Sequence, residues 1–289
     1  MNPLVILGCG YVGSRVARAA LAEGRTVRVC SRSSGKLAPL VALGAEYKYV
    51  DAATPKGFAL AVAGLHGATV LYSIPPAGAL SPGQAIRAAL QAVYGAGADA
   101  FIYLSSAGMY GAGPDDDVWI DEDSPVSHDD SAMRNVQTDE DEILKAAFAL
   151  RSVILRLAPV YGPGRGLRER IRAGKFQILD DGQHATSRIH VDDAVAVITA
   201  AGERGTHKSM FLVADDEPTT QGEYARWLSD RMGLPLPPSR SMFEPGAPRV
   251  AHRNRKIRNT RVKTELGITL RYPTFREGEA AIEAELAGV

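Results

Sequence analysis

Three glycines set the first chemical expectation. Gly8, Gly10 and Gly13 lie in the run Gly8-Cys9-Gly10-Tyr11-Val12-Gly13, the spacing G-x-G-x-x-G. In that spacing the first glycine permits a tight turn and the second lets a pyrophosphate approach the backbone. The third lets the following helix lie close against the preceding strand. The pattern carries weight only between a strand and a helix. Here Asn2–Leu7 is short and apolar, and Ser14–Glu23 reads as a helix ending at Gly24. Such a helix offers unpaired N–H groups and a partial positive charge to a phosphate. The expected ligand is a dinucleotide, with Tyr11 and Val12 at its phosphates.

Its nicotinamide form is argued at the end of the next strand, Thr26–Cys30. A site for NAD usually places a carboxylate there, roughly 20 residues past the glycines. This chain has Cys30-Ser31-Arg32-Ser33-Ser34 and no acid. Arg32, between the hydroxyls of Ser31 and Ser33, suits the 2′-phosphate of NADP through paired charge-assisted bonds. NADP(H) is therefore expected over NAD(H). Asp51, after a third strand Glu46–Val50, either meets the adenine amino group or caps the next turn. Ile74 and Pro75 close a fourth strand, Thr69–Ile74, at the carboxyl edge where ligands bind in such sheets.

Another cluster of reactive types ends the fifth strand, Phe101-Ile102-Tyr103-Leu104-Ser105-Ser106-Ala107-Gly108-Met109-Tyr110-Gly111. Ser105 and Ser106 would face the nicotinamide, and Ser106 could hold a substrate oxygen. Alternatively, both serines only satisfy local backbone groups. A proton for the reaction would come from water, Tyr110, His128 or an acid nearby.

These residues need a scaffold of alternating strands and helices. Helices are expected at Ala59–Leu65, Gln84–Gly95 and Asp193–Ala201, with further strands at Val153–Leu157 and Met210–Ala214. Short strands are expected at Lys175–Leu179 and Ser187–His190. The order implies an α/β, doubly wound parallel sheet with right-handed crossovers. From Thr219 the chain turns helical and proline-punctuated: a helix to Met232, a stiff linker Leu234–Pro238, then helices over Asn259–Leu266 and Thr274–Leu286. Residues 1–160, with further sheet elements from 189–217, form the nucleotide-binding domain. Segments 161–188 and 218–289 form a small, mostly helical, discontinuous substrate-binding lid.

Bulk properties narrow the partners. Basic and acidic residues balance at 33 each among 289, so no global field favours nucleic acid or an anionic membrane. Cys9 and Cys30 are the only cysteines, too few for a disulfide framework or a metal motif. No metal is expected. The absence of a long apolar run predicts a cytoplasmic chain with a small-molecule substrate; a homodimer through the flanking helices is compatible. An acidic stretch (Asp115–Asp117, Asp121–Asp123, Asp129-Asp130, Asp139–Glu142) faces a late basic one (Arg249, Arg253, Arg255, Lys256, Arg258, Arg261, Lys263). They read as solvated surface with some mutual attraction, or as a basic pocket wall complemented by an acidic flap.

The chain resembles the extended and atypical short-chain dehydrogenase/reductase superfamily, the NAD(P)-dependent epimerase/dehydratase type. The resemblance rests on the glycine motif, on Ser105-Ser106-Ala107-Gly108-Met109-Tyr110-Gly111, and on Arg156-Leu157-Ala158-Pro159-Val160-Tyr161-Gly162-Pro163-Gly164-Arg165. It continues through Ile189-His190-Val191-Asp192-Asp193-Ala194 and Tyr272-Pro273-Thr274-Phe275. It implies that Ser106 is the catalytic serine and that Val191-Asp192-Asp193 caps a helix. Active members carry Tyr-x-x-x-Lys on the helix after strand five, where the lysine and cofactor lower the tyrosine pKa. The register of Asp141-Glu142-Ile143-Leu144 puts Met133 and Gln137 at those places, and no tyrosine lies between Tyr110 and Tyr161. Methionine has no exchangeable proton and glutamine no charge. Pro159 replaces the asparagine common in nucleotide-sugar members. The expected function is thus an oxidoreductase on a small carbonyl or alcohol with a non-standard proton donor. The alternatives are a regulatory or redox-sensing NADP(H)-binding protein and a nucleotide-sugar epimerase or dehydratase.

Overall fold

The computed structural model describes residues 2–54, 56–76, 81–111, 113, 118–127, 130–180, 182–241, 243–244 and 254–288. His128, Asp115–Asp117, Asp129, Arg249 and Arg253 from the sequence reading lie outside these residues.

The first half alternates strictly: β1 (Leu4–Leu7), α1 (Tyr11–Ala22), β2 (Val27–Ser31), α2 (Ala38–Ala42), β3 (Glu46–Tyr49), α3 (Lys56–Val62), β4 (Thr69–Tyr72), α4 (Gln84–Gly95) and β5 (Ala100–Ser106). There follow β6 (Trp119–Ile120), α5 (Ser131–Lys145), β7 (Arg151–Leu157), β8 (Val160–Tyr161), α6 (Leu167–Arg172), β9 (Ile178–Leu179), β10 (Ala185–Thr186) and β11 (Ile189–His190). The last are α7 (Val191–Arg204), β12 (Ser209–Val213), β13 (Thr219–Thr220), α8 (Gln221–Met232), β14 (Ser239–Arg240), β15 (Lys256–Ile257), α9 (Thr260–Glu265) and α10 (Phe275–Ala287).

Seven strands form one sheet in the order β12-β7-β5-β4-β1-β2-β3, every pairing parallel. Helices cover both faces, which is why β1 and the start of β5 are continuously apolar instead of alternating. Side chains of one strand still divide between the faces. Leu4 and Ile6 join the core under α1 and α7, together with Ala100 and Ile102. Val5 and Leu7 join the opposite core under α3, α4 and α5, with Phe101 and Tyr103. The order reverses between β1 and β4, so a crevice opens there at the carboxyl edge.

A third core draws on separated segments: Tyr161, Ile171, Phe176 and Ile178 from one, and Tyr224, Leu228, Phe275 and Ile282 from another. Residues 260–270 behave differently from the lid in which the sequence reading placed them. Val262, Leu266 and Leu270 are buried in the first core, because α9 packs on the outer strand β12.

Other differences are local. The expected helix Ala59–Leu65 starts earlier, at Lys56, and ends at Val62, with Phe58 and Ala61 buried. The expected strand Lys175–Leu179 shrinks to Ile178–Leu179, because the amide of Lys175 closes the end of α6 on the Arg170 carbonyl. The turn Gly35–Leu37 leading into α2 had no strong signal in the sequence. Among the described residues no helix is long and apolar enough to cross a membrane.

Candidate active site

The glycine turn is built as the spacing demands. The amides of Gly8 and Cys9 both donate to the Cys30 carbonyl, at 3.0 and 2.9 Å, tying the turn to β2. Gly8 has φ +89°, and a Cβ there would stand 2.7 Å from Ile74 Cγ1 and 2.9 Å from the Ile74 amide nitrogen. Beside it, the Ser73 hydroxyl donates to the Gly8 carbonyl at 2.7 Å. At Gly13 a Cβ would lie 3.0 Å from Ile6 of β1, so helix and strand approach closely. At Gly10 a Cβ would meet only the Gly8 carbonyl oxygen, at 3.9 Å, so one side stands open.

Helix α1 begins without a side-chain cap. Its first internal bond runs from Ser14 N to Gly10 O at 2.8 Å, which leaves the first-turn amides for an outside acceptor. The stripe buried by α1 is Gly13, Val16, Ala17 and Ala20. Arg18 is exposed and Arg15 half-buried. An open space beside Gly10 and an uncapped helix start fit a pyrophosphate. The hydroxyl of Tyr11 reaches across to donate to the Pro163 carbonyl at 3.1 Å, with Arg165 stacked 5.1 Å from its ring. The segment after β8 thereby closes over the turn.

Arg32, just past β2, is exposed and has no hydrogen-bond or ion-pair partner among the described residues. Ser31 makes a local turn with Ser33, accepting from its amide at 3.2 Å and donating to its carbonyl at 2.5 Å. Asp51 accepts from the Ala53 amide at 3.0 Å, the turn-capping geometry. Ile74 packs against Gly8, and Pro75 is exposed.

At the end of β5 the two serines diverge. Ser105 is buried, and its hydroxyl donates to Glu140 Oε1 at 2.5 Å. That points it away from local backbone groups and into the layer beneath α5. Ser106 caps the turn Ala107–Tyr110, its Oγ accepting from the Gly108 amide at 3.0 Å. Its own proton is left to give. Met133 of α5 comes down on this turn: a Cβ on Gly108 would lie 2.7 Å from Met133 Sδ and 2.9 Å from Ser106 Oγ.

Under the turn lies a buried network that the sequence reading passed over. Arg156 of β7 donates from Nε and Nη2 to the two oxygens of Glu140, at 3.0 and 2.7 Å. From Nη1 it donates to the Tyr110 hydroxyl at 2.5 Å. Burial pushes the Tyr110 pKa up, against the pull of the Arg156 guanidinium, which makes it a poor acid at neutral pH. Glu140 and Asp139 are only 2% and 4% exposed. Asp139 and Glu140 are therefore not part of a solvated face, and the signal that could have shown it was Arg156, set in the otherwise apolar run Val153–Leu157 of β7.

Asp121–Asp123 of the acidic stretch does meet the described part of the basic one. β6 and β15 pair in parallel, and Arg261 lies 3.2 Å from Asp123 and 3.8 Å from Glu122. Arg255 is 2% exposed and its Nη1 donates to the Ala107 carbonyl at 2.8 Å, reaching the serine turn from the far end of the chain. At α7 the cap is His190, whose Nδ1 accepts from the Asp192 amide at 3.3 Å, and not the Val191-Asp192-Asp193 run. Asp193 instead accepts from the amides of Arg271 and Tyr272, at 2.7 and 2.9 Å.

Burial raises the Cys9 thiol to about 11 and the Cys30 thiol to about 12, so neither is a thiolate at neutral pH. No group of metal-ligating side chains occurs among the described residues.

A glycine turn, an uncapped helix start and a crevice at the carboxyl edge of a parallel sheet define a dinucleotide-binding protein of the doubly wound class. Within that class, the chain belongs to the NAD dependent epimerase/dehydratase family, whose pattern matches residues 4–214, in agreement with the sequence resemblance. Over 209 residues it is 31% identical to a 3-diazoavenalumate denitrifying reductase of a Streptomyces species, a match that spans 65% of this chain and 66% of that protein. To sterol demethylase protein B of Methylococcus capsulatus it is 26% identical over 258 residues, 82% of this chain and 76% of that one. A solved structure of a protein of unknown function from Silicibacter pomeroyi is similar over 99% of both chains, with 30% identity and a TM-score of 0.83.

Proposed function

We propose that the protein is an NADP(H)-dependent reductase of small electrophilic organic substrates, carbonyls among them, that works without a tyrosine–lysine proton relay. The observation that carries this reading is the thioether of Met133 packed against the Ser106–Gly108 turn. The cofactor, when bound, supplies or takes up a hydride. Gly8, Gly10, Gly13 and the first turn of α1 would hold its pyrophosphate, and Arg32 its 2′-phosphate.

The chain's own groups limit what can follow. Ser106 retains an O–H to donate to a substrate oxygen, whereas Met133 has none to give and Tyr110 is bound to Arg156. A carbonyl reduced here would take its proton from solvent through Ser106. A cationic acceptor needs no proton at all, since hydride addition neutralises it. Support for that second substrate type comes from the relative at 31% identity, which is named as a reductase of a diazo compound.

Calorimetric titration of stripped protein is expected to show NADPH binding more tightly than NADH. Arg32→Ala should erase most of the gap, about ten- to a hundredfold for hydrogen bonds to a charged group. Equal affinities would remove the cofactor preference. NADPH consumption should then be seen on a panel of carbonyls and an arenediazonium salt, with Ser106→Ala slowing only the carbonyls. Tight binding of both redox forms with no consumption on any of them would instead favour a nucleotide-holding regulatory protein.

A further inference from the structure

Two cavities beside the sheet edge join into one trough. The larger has a volume of about 850 Å³ and the smaller about 540 Å³, and Pro159, Arg170, Phe176, Thr186 and Gln221 line both. The larger is rich in cations: Arg170, Arg172, Lys175, Arg240 and Arg255 line it, and no Asp or Glu among the described residues does. Some of that charge is already answered. Arg172 lies 4.0 Å from Glu169, Arg240 pairs with Glu244 at 3.1 Å, and Arg255 donates to Ala107. Arg170 and Lys175 have no carboxylate partner among the described residues. The Arg170 guanidinium lies 5.0 Å from the centre of the Phe176 ring.

Beside these charges and the polar side chains of Gln177, His184, Thr186 and Gln221, Phe176 and the run Leu234–Pro238 make an apolar stretch of wall. Three amide donors along it are spent on the protein itself. Ile178 N donates to the Pro238 carbonyl at 3.0 Å, Asp180 N to the Arg240 carbonyl at 2.8 Å, and Leu179 N to Gln221 Oε1 at 2.8 Å. A nucleotide base asks for free backbone groups along its edge. This wall offers instead flat apolar surface and unanswered positive charge.

We propose that the trough is the substrate site and that it takes a flat organic carboxylate, an aryl or conjugated acid. The carboxylate lies at Arg170 and Lys175, and the body of the molecule against Phe176 and the proline wall. The opposite end points along the trough toward Pro159 and Arg255, whose bond to Ala107 joins the trough to the Ser106 turn. The proposal rests on the reductase reading in one respect only, that the substrate lies beside the cofactor crevice.

The test is calorimetry on the full chain saturated with NADP⁺, with trans-cinnamate, trans-cinnamamide and UDP as probes. Cinnamate is expected to bind about tenfold or more tightly than its uncharged amide, the scale of a hydrogen bond to a charged group. Arg170→Gln and Lys175→Gln, both at exposed positions, should reduce that ratio while leaving NADPH affinity unchanged. The proposal is overturned by absent cinnamate binding, by a ratio that both variants retain, or by UDP binding more tightly than cinnamate through Arg170. A wild-type chain that fails to bind NADPH would overturn the cofactor reading instead, so the two failures are distinguishable.

Discussion

Gly8 and Gly24 both have positive φ, +89° and +74°, but only Gly8 is crowded, by Ile74 and its backbone. Gly8→Ala should therefore destabilise the protein by about 1–3 kcal/mol through backbone strain, and more than Gly24→Ala, which meets nothing within 4 Å. Urea unfolding of the two variants measures the difference; equal losses would mean that the contact with Ile74 has no weight. The glycine turn was legible because its requirements are local: a turn, a helix start, an adjacent strand. The exposed place of Arg32 at the end of β2 was legible for the same reason. Asp51 and Ser105 were less so, since the choice between a ligand and a protein partner depends on what the third dimension brings near. Asp51 meets the Ala53 amide, and Ser105 meets Glu140, a residue on a different element.

Helix α5 shows what an element can hide. Its acidic end looks solvated when read along the chain, yet Val136, Asp139, Glu140 and Ile143 form its buried face. Glu140 survives there because Arg156 engages both its oxygens and Ser105 donates to it as well, satisfying the charge where water is excluded. Glu140→Gln should then cost about 3–5 kcal/mol, the scale for leaving one member of a buried pair uncompensated. The double change Glu140→Leu with Arg156→Met should cost less than the two single changes added together. Denaturant curves for Glu140→Gln, the two single changes of the pair and the double change test this, and strict additivity would show that the pair is not coupled. Short elements were the hardest to anticipate. β6, β8, β10 and β15 are each two residues long, too brief for an apolar period to register, and they exist because distant segments pair.

At the scale of the molecule, several buried polar groups gather where β8, β11, α10 and the end of β12 meet. Tyr161 Oη, Arg188 Nη1, His190 Nε2 and both carboxylate oxygens of Asp215 are buried without a hydrogen-bond partner among the described residues. Burial raises the Asp215 carboxyl to about 8, although the Arg188 guanidinium opposes the shift. His190 moves the other way, lowered to about 4 by burial. Because the folded state holds the Asp215 proton to higher pH than the unfolded chain does, this group's contribution is greatest below the usual carboxylate range. It declines as pH rises toward 8. His190 acts oppositely, adding stability as pH rises from about 4 to its unfolded value near 6.5. Asp139, raised by burial to about 6, offsets His190 in that lower window. From pH 6.5 to 8 the Asp215 effect remains, with a slope of up to about 1.4 kcal/mol per pH unit. Unfolding free energy should fall across that interval, and Asp215→Asn should flatten the fall; a wild-type curve already flat there would contradict it. The parallel sheet was legible because its seven strands need apolar runs and crossover helices. The docking of residues 260–270 onto β12 was not, since nothing in α9 by itself names the surface it covers. The clasp between Arg255 and Ala107 has one last consequence. Every strand of the main sheet is complete by Val213, yet the serine turn is held by a guanidinium that emerges from the ribosome some forty residues later. A nascent chain can therefore own its whole β-scaffold while its reactive rim is still unfinished, and competence arrives only with the tail.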